Sequence, residues 1–282
     1  MAGVNGGGTV FKMTLSGTLT AIYSFPWSCA QIPCTAPDGA LPDASLVQAT
    51  RDFYGTAEFG SSRNCSPYGC GTVFKMAPAG ELTTLYSFCV QSGCPDGSIL
   101  QAGLVQATDG NFYGTTEFGG NDNCASAYSG SGTVFKITPA GKLTTLYSFC
   151  TQSGCPDGYT PGGALFQATN GALYGTTTYG GAYDTCTTQL PPGCGTIFSL
   201  SVGLGPFVET QTTSGKVGAA VNILETNLIG ATSVSFNGKA AIFKVVSGSE
   251  ITTTVPAGAT TGTVKVATPS GTLSSNLPFR VT

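Results

Sequence analysis

Residues 104–149 read LVQATDGNFYGTTEFGGNDNCASAYSGSGTVFKITPAGKLTTLYSF and contain four strand-sized phrases separated by turn residues. The phrases are L-V-Q-A-T, F-Y-G-T-T, G-T-V-F-K and L-Y-S-F. Copies recur at residues 46–88 and 165–199, although the last copy lacks the closing phrase. Four short strands per copy are typical of four-stranded antiparallel sheets that are stacked or arranged radially.

The G-T-V-F phrase sets the period, because its copies begin at Gly8, Gly71, Gly132 and Gly195, in steps of 63, 61 and 63 residues. Residues 8–25 carry only the last two phrases of a copy. We therefore predict an all-β, propeller-like array of about three blades, incomplete at both ends. A flat solenoid is the alternative, and open sheet edges at the two ends would favour self-association.

The last two phrases of each copy predict a hairpin, joined in one copy by the Pro and Gly turn residues of Ala77–Gly80. Strict alternation along the second strand places Leu82, Tyr86 and Phe88 on one face. The first residues correspond to the middle of such a copy, and we expect no signal peptide among them. We expect that the sequence is truncated upstream; a short protein that oligomerises through its edges is the alternative.

The sequence changes character after Leu200, where cysteines stop and aromatic residues become sparse. We predict a repeat domain over residues 1–200, a linker over residues 201–206 and a second domain over residues 207–282. Short Thr- and Val-rich strands with turns such as Asn237-Gly238 indicate a small β-sandwich in the second domain.

Composition excludes several classes of function. The 282 residues include no histidine, so histidine triads and His-ligated zinc sites are excluded. The net charge is −3 and the 11 Lys and Arg residues are scattered, which argues against a nucleic-acid partner. No segment approaches the length of a membrane-spanning helix. We expect no cofactor and no bound metal.

The chain has eleven cysteines, and ten of them fall into close pairs within equivalent loops. A zinc site would bring two pairs together, whereas one pair per loop favours disulfides, which form in extracytoplasmic compartments. Cys124 is predicted to be a free thiol, because Ser131 stands where its partner would be. The predicted disulfides are Cys29–Cys34, Cys65–Cys70, Cys89–Cys94, Cys150–Cys155 and Cys186–Cys194.

Residues 1–200 resemble the GloVer-type tandem repeats of exported bacterial proteins, on the phrases Asn111–Gly120, Gly132–Lys136 and Leu146–Phe149. This resemblance implies a secreted or surface-anchored, propeller-like array without assigned catalytic residues. Residues 207–282 resemble an IPT/TIG domain, which is immunoglobulin-like and implies a spacer or adhesion module. Glu225 departs from that family, which usually has Gly there.

Two sets of acidic residues recur in the copies. Asp38, Asp96 and Asp157 lie in P-D-G motifs, which are favoured turn sequences in which Asp accepts hydrogen bonds from nearby backbone N–H groups. A cation-binding ring of these carboxylates is the alternative. Glu58 and Glu117 follow the Y-G-T phrase. Each acid precedes an aromatic residue, and the third copy has Thr178 and Tyr179 at the two equivalent positions. The predicted ligand-binding residues are Glu58, Phe59, Glu117, Phe118 and Tyr179.

These residues predict a non-enzymatic, extracellular or cell-surface repeat protein for display, adhesion or the binding of a glycan or a surface protein. No catalytic residue is assigned, because the recurring residue types are structural. The alternative is a carbohydrate-active enzyme, a hydrolase or lyase, with an active site on the propeller face that uses Glu58, Glu117 or an Asp.

Overall fold

The structure is a computed structural model that describes residues 6–28, 36–60, 64–65, 68–120, 130–182 and 193–282. Every regular element in these ranges is a β-strand, so the prediction of an all-β chain is confirmed. The chain forms two compact units. One contains residues 1–106, 110–166 and 174–199; the other contains residues 107–109, 167–173 and 200–282.

The strands of the repeat region coincide with the repeated phrases, and the first phrase of each copy forms the shortest strand. They are β1 Gly6–Met13, β2 Leu19–Pro26, β3 Val47–Ala49, β4 Asp52–Ala57, β5 Thr72–Met76, β6 Leu82–Ser87, β7 Val105–Gln106, β8 Phe112–Thr116, β9 Thr133–Ile137, β10 Leu143–Ser148, β11 Phe166–Gln167, β12 Leu173–Thr177 and β13 Thr196–Leu200.

Each copy folds as an antiparallel meander, because strands that are consecutive in sequence are neighbours in the sheet. The sheet orders are β3-β4-β5-β6 and β7-β8-β9-β10, with a two-stranded β1-β2 sheet and a three-stranded β11-β12-β13 sheet. Two four-stranded antiparallel sheets are thus present in the described part of the repeat region, as predicted. The two- and three-stranded sheets correspond to the incomplete first and last copies.

The same aromatic contact joins successive sheets. A Phe from the L-Y-S-F phrase meets the Phe of the next copy's G-T-V-F phrase edge-on, with interplanar angles of 61–66°. Such pairs stabilise by about 0.5–1.5 kcal/mol beyond the burial of their area. The pairs and their centroid distances are Phe25–Phe74 at 5.3 Å, Phe88–Phe135 at 5.1 Å and Phe149–Phe198 at 5.0 Å.

A β-bulge in the last strand of each hairpin overturns the predicted alternation. Leu82 pairs with Met76, but Tyr86 pairs with Val73, and the register shifts between Val73 and Phe74. The extra residue reverses which face the following side chains occupy. Leu82 and Tyr86 therefore lie on opposite faces, and the prediction that they share one was wrong. Equivalent register shifts occur in the β1–β2 and β9–β10 pairs.

The glycine of the Y-G-T phrase leaves room for a phenylalanine on the neighbouring strand. A Cβ atom on Gly55 would lie 2.5 Å from Cζ of Phe74, its cross-strand partner. A Cβ atom on Gly114 would lie 2.6 Å from Cζ of Phe135. The glycine is therefore required by a ring of its own sheet, and its role is side-chain packing rather than close backbone approach.

The second unit contains two further four-stranded antiparallel sheets, ordered β14-β16-β20-β19 and β18-β17-β21-β22, and a parallel β15-β23 pair. Their buried residues, including Phe236 and Phe279, form one hydrophobic cluster. The strands are β14 Glu209–Thr210, β15 Ser214–Gly215, β16 Ala220–Leu224, β17 Ser233–Phe236, β18 Lys239–Ala241, β19 Phe243–Ser247, β20 Glu250–Thr254, β21 Val264–Thr268, β22 Gly271–Ser274 and β23 Arg280–Val281.

Glu225, the residue that departs from the IPT/TIG pattern, is almost fully buried. Its carboxylate accepts hydrogen bonds from the Thr226 hydroxyl and from the Asn227 backbone N–H. A buried carboxylate must have such partners, because an unpaired buried charge is costly. The side chain therefore folds back onto its own turn.

Candidate functional site: an acidic cluster between two repeats

Glu58 and Glu117 occupy equivalent positions in consecutive copies, directly after the Y-G-T strands. The Glu58 backbone N–H donates to the Leu41 carbonyl at 3.1 Å, and the Glu117 N–H donates to the Ile99 carbonyl at 2.8 Å. Leu41 and Ile99 have φ angles of 54° and 61°, in the left-handed region that β-branched and bulky residues avoid. This backbone geometry recurs in each copy and fixes the backbone position of the residue that follows the Y-G-T strand.

The Glu58 carboxylate contacts an amide and acts electrostatically on the glutamate of the next copy. Gln101, from the second copy, donates its Nε2 to Oε1 of Glu58 in a long hydrogen bond of 3.5 Å. Glu117 lies close enough that the charge on Glu58 acts on its ionisation. The structure thus brings together two of the residues that the sequence predicted, and it adds Gln101, which the sequence did not single out.

Burial and like charge favour the protonated forms of both glutamates. Desolvation by burial is the largest cause of the raised pKa of Glu117, and the charge of Glu58 raises that pKa further. The pKa of Glu58 is raised mainly by burial and also by Asp43, although the hydrogen bond from Gln101 opposes the shift. The cluster is therefore a partly desolvated set of carboxylates with one amide donor.

The third copy carries no acid at this position. Thr178 occupies the equivalent site, is exposed, and donates its backbone N–H to the Thr160 carbonyl at 3.0 Å. Thr160 shares the left-handed conformation, with φ of 60°. The hydrogen bond to a residue in the left-handed conformation is therefore common to the three copies, whereas only the first two copies contribute a carboxylate.

The predicted aromatic partners lie in separate contacts. Phe59 packs against Tyr68 at a centroid distance of 5.5 Å, and Tyr68 also meets the half-buried ring of Trp27 at 6.1 Å. Tyr179 stacks on Tyr159 at 5.2 Å. The Phe118 backbone pairs with Ser98. Phe59 and Tyr179 thus pack against other aromatic rings, and neither of these ring contacts involves a glutamate.

The P-D-G aspartates bind tyrosine hydroxyls, a role that the sequence analysis did not anticipate. We call each of these pairs a Tyr–Asp clamp. Asp96 also accepts from the Cys89 N–H, and Asp157 from the Cys150 N–H. In two of the copies the Tyr and Asp lie ten residues apart, and this recurring spacing is the sequence signal that could have predicted the contact. The clamps and their oxygen–oxygen distances are Tyr23–Asp38 at 2.7 Å, Tyr86–Asp96 at 2.8 Å and Tyr147–Asp157 at 2.8 Å.

The clamps perturb the tyrosines. Burial first, and then the hydrogen bond and charge of the aspartate, raise the pKa of Tyr23, Tyr86 and Tyr147 to about 12. A phenolate would lose the hydrogen bond and face a carboxylate, so the neutral hydroxyl is the form that the fold stabilises. The aspartates therefore tie the loop after each L-Y-S-F strand to the strand itself.

Three of the predicted cysteine pairs are disulfides in the structure: Cys65–Cys70, Cys89–Cys94 and Cys150–Cys155. Cys194 is also disulfide-bonded. The other predicted disulfide residues, Cys29, Cys34 and Cys186, lie outside the described residues, as does the predicted free thiol Cys124. The disulfides are local, because each links residues five apart in sequence.

The tandem four-stranded sheets and the recurring backbone geometry define an all-β repeat protein. Residues 1–189 match the Gloeobacter/Verrucomicrobia repeat family, and the chain belongs to that family. Among curated proteins, none matches the sequence. Within the described ranges, no helix has the length and apolar character needed to cross a membrane.

Three solved structures are similar to this chain at low identity. A fungal alcohol oxidase of the AA5 family, in complex with copper, is 12% identical with a TM-score of 0.40, and the match covers 96% of this chain. This chain spans 58% of that oxidase. A gluconolactonase candidate from a structural-genomics consortium is 13% identical over 94% of this chain and 80% of its own, with a TM-score of 0.35. Sucrose-6-phosphate hydrolase from Lactobacillus gasseri is 13% identical, with a TM-score of 0.32. The match covers 88% of this chain and 65% of that hydrolase.

Proposed function

We propose that this chain is a non-enzymatic, extracellular or cell-surface repeat protein that binds a glycan at the cluster of Glu58, Gln101 and Glu117. The observation that carries the proposal is that Gln101 binds Glu58, while the half-buried Glu117 of the next copy lies within reach of the Glu58 charge. Ligand sites need a few polar groups aimed at one place, and no single phrase of the sequence supplies them. Carboxylate and amide groups suit sugar hydroxyls, because they accept and donate hydrogen bonds in a fixed geometry.

The architecture that we propose around this site is a propeller-like array of blades followed by an immunoglobulin-like spacer of the IPT/TIG type. The repeated edge-on Phe pairs between successive sheets support the array. The two four-stranded sheets of the second unit, with one shared hydrophobic cluster, support the spacer. The disulfides support an oxidising compartment outside the cytoplasm.

A glycan array followed by calorimetry tests the binding proposal. Glu117→Gln keeps the shape of the side chain but removes its charge, and we expect it to weaken binding by about tenfold or more, since a hydrogen bond to a charged group contributes about 1.5–3 kcal/mol. Glu81→Gln is the matched control, because Glu81 is exposed in a hairpin turn. Absence of binding to every glycan, or equal loss in both variants, would refute the proposal.

The binding should depend on pH. Ionised carboxylates accept hydrogen bonds from sugar hydroxyls, and the pKa values of Glu58 and Glu117 are raised by burial. We therefore expect affinity to fall on acidification, beginning at a higher pH than for an ordinary glutamate. The Glu117→Gln variant should show a shallower dependence. An affinity that is flat between neutral pH and pH 4 would contradict this role for the carboxylates.

Glycoside hydrolysis is the second candidate, and the coupled ionisation of Glu58 and Glu117 favours it. Burial and the charge of Glu58 raise the pKa of Glu117, and glycosidases likewise raise the pKa of their acid beside a second carboxylate. Incubation with polysaccharides, followed by analysis of reducing ends, tests it. Glu117→Gln should abolish product release. Binding without any product from the wild-type protein would eliminate the enzymatic alternative and leave the binding proposal standing.

A further inference from the structure

Four cysteines from two different loops meet in the first complete copy. The Sγ atoms of Cys65, Cys70, Cys89 and Cys94 all lie within 4.8 Å of one another. Cys70, Cys89 and Cys94 are buried and Cys65 is half-buried, so the cluster opens toward solvent on one side only. Two loop disulfides need not touch to staple their own loops. Their contact is therefore a feature that loop stapling does not explain.

The arrangement fits a soft divalent metal. Four thiolates bind Zn²⁺ tetrahedrally at about 2.3 Å, which places the sulfurs about 3.8 Å apart. The four sulfurs all lie within 4.8 Å of one another, so opening each disulfide and a short movement apart within each pair would give these separations. Within each pair four residues separate the cysteines, and the 18 residues 71–88 separate the pairs. Zinc sites have similar spacing, with about two to four residues within a pair and about 15–20 between pairs.

Contacts that do not involve sulfur hold the two loops together. The Asn64 side chain, beside Cys65, donates its Nδ2 to the carbonyls of Cys89 at 2.7 Å and Val90 at 3.1 Å. The Ile99 N–H donates to the Cys70 carbonyl at 2.8 Å. The sulfurs would therefore remain close together after the disulfides are opened, and a site that is already ordered binds a metal at a lower entropic cost.

The carbonyl of Cys94 is fixed in the same way. It accepts hydrogen bonds from the N–H groups of Gly97 at 2.9 Å and Gly120 at 2.8 Å. The Cys89 N–H donates to the Asp96 carboxylate at 3.1 Å, within one of the Tyr–Asp clamps. Each cysteine of the second loop thus has a backbone anchor that is independent of its disulfide.

We propose that these four residues form a redox-gated Cys₄ site for Zn²⁺. A dithiol reductant opens the two disulfides: each bridge takes up two electrons and two protons to give two thiols, and two dithiols are oxidised to disulfides. Zn²⁺ then displaces the four thiol protons and bonds to the four sulfurs. In the oxidised chain the same atoms are two disulfides and hold no metal.

The second copy supplies an internal contrast. Ser131 stands in the place of Cys70, is fully buried, and accepts the Thr160 N–H at its carbonyl at 2.9 Å, as Cys70 accepts that of Ile99. A hydroxyl in place of a thiol removes one soft ligand from this copy. The proposed site is therefore specific to the first complete copy, although the disulfide Cys150–Cys155 recurs in the second.

Metal titration of the full-length, phosphine-reduced protein under anaerobic conditions tests the proposal. We expect one tightly bound Co²⁺ per chain, with the visible absorption of tetrahedral cobalt thiolate, displaced stoichiometrically by Zn²⁺. Cys70→Ser should weaken binding more than about 100-fold, because even outer-shell changes cost 10–100-fold. Cys150→Ser is the matched control and should bind within about threefold of the wild type.

Alkylation of the wild-type protein gives a second readout that needs no variant. Zn²⁺ should protect Cys65, Cys70, Cys89 and Cys94 from a thiol reagent after reduction, as mapped by peptide mass. Protection of other cysteines instead, absence of a tight site, or equal losses in Cys70→Ser and Cys150→Ser would each overturn the proposal. Disulfide exchange would also overturn it. In that case the peptide map would show only new disulfides between the two loops and no thiols protected by Zn²⁺.

Discussion

The Tyr–Asp clamp at Tyr86 should contribute measurably to stability. Tyr86→Phe keeps the ring, which packs edge-on against Phe88 at 5.0 Å, and removes the proton of the 2.8 Å hydrogen bond to Asp96. Hydrogen bonds to charged groups contribute about 1.5–3 kcal/mol. Tyr86 is half-buried, and Asp96 would still accept the hydrogen bond from the Cys89 N–H in the variant. We therefore expect the free energy of unfolding to fall by about 1–2 kcal/mol, near the lower end of that range.

Thermal unfolding at neutral pH measures this loss. One kcal/mol lowers Tm by about 2–4 °C in a protein of this size, so the expected shift is about 2–8 °C. A double-mutant cycle with Asp96→Asn isolates the pair, and the coupling energy should be about 0.5–2 kcal/mol. Tyr68→Phe is the control, because Tyr68 is exposed and should change stability by less than about 0.5 kcal/mol.

The same clamp should weaken in alkali. The pKa of Tyr86 is raised from 10.0 to about 12 in the folded chain. A group whose pKa is higher in the folded state stabilises the fold fully below its unfolded pKa and loses that contribution as the pH rises through the folded one. The difference between wild type and Tyr86→Phe should therefore be constant below pH 10 and shrink between pH 10 and pH 12.

Two results would refute this reasoning about the clamp. One is a Tyr86→Phe variant that unfolds within the scatter of the Tyr68→Phe control. The other is a stability difference that grows with alkaline pH, which would mean that the phenolate is favoured in the folded chain. The first result would show that water satisfies the Asp96 carboxylate as well as the tyrosine does.

Two further substitutions test the packing and the surface charges. Gly114→Ala should destabilise the fold by about 1–3 kcal/mol, since its Cβ would lie 2.6 Å from Cζ of Phe135. Gly205→Ala is the control, because a Cβ there meets no atom within 4 Å. Equal unfolding temperatures for the two variants would contradict the packing argument. Lys75→Ala should change the unfolding free energy by less than about 1 kcal/mol although its 2.8 Å ion pair with Asp52 is lost, because both side chains reach solvent. Chemical denaturation at 0.15 M salt checks this, and a loss above about 2 kcal/mol would show that the pair is more than a surface contact.

Much of the fold follows from local sequence. The four phrases became strands in the predicted order, because alternation, β-branched residues and Pro or Gly turns act within a few residues of one another. The disulfides Cys89–Cys94 and Cys150–Cys155 were predictable for the same reason, since each closes a loop of its own. The β-bulge beside Tyr86 was not, because a register shift depends on both paired strands.

The sequence by itself determined the all-β repeat, the two complete sheets and the local cysteine pairs. Only the tertiary structure decided that Gln101 binds Glu58, that the charge of Glu58 reaches Glu117, that Asp96 binds Tyr86, and that the sulfurs of two cysteine loops lie together. The physical reason is the sequence distance over which each kind of interaction acts. Turn chemistry and strand pairing act along the chain, whereas the distance between side chains of different copies depends on how one sheet is rotated and packed against the next.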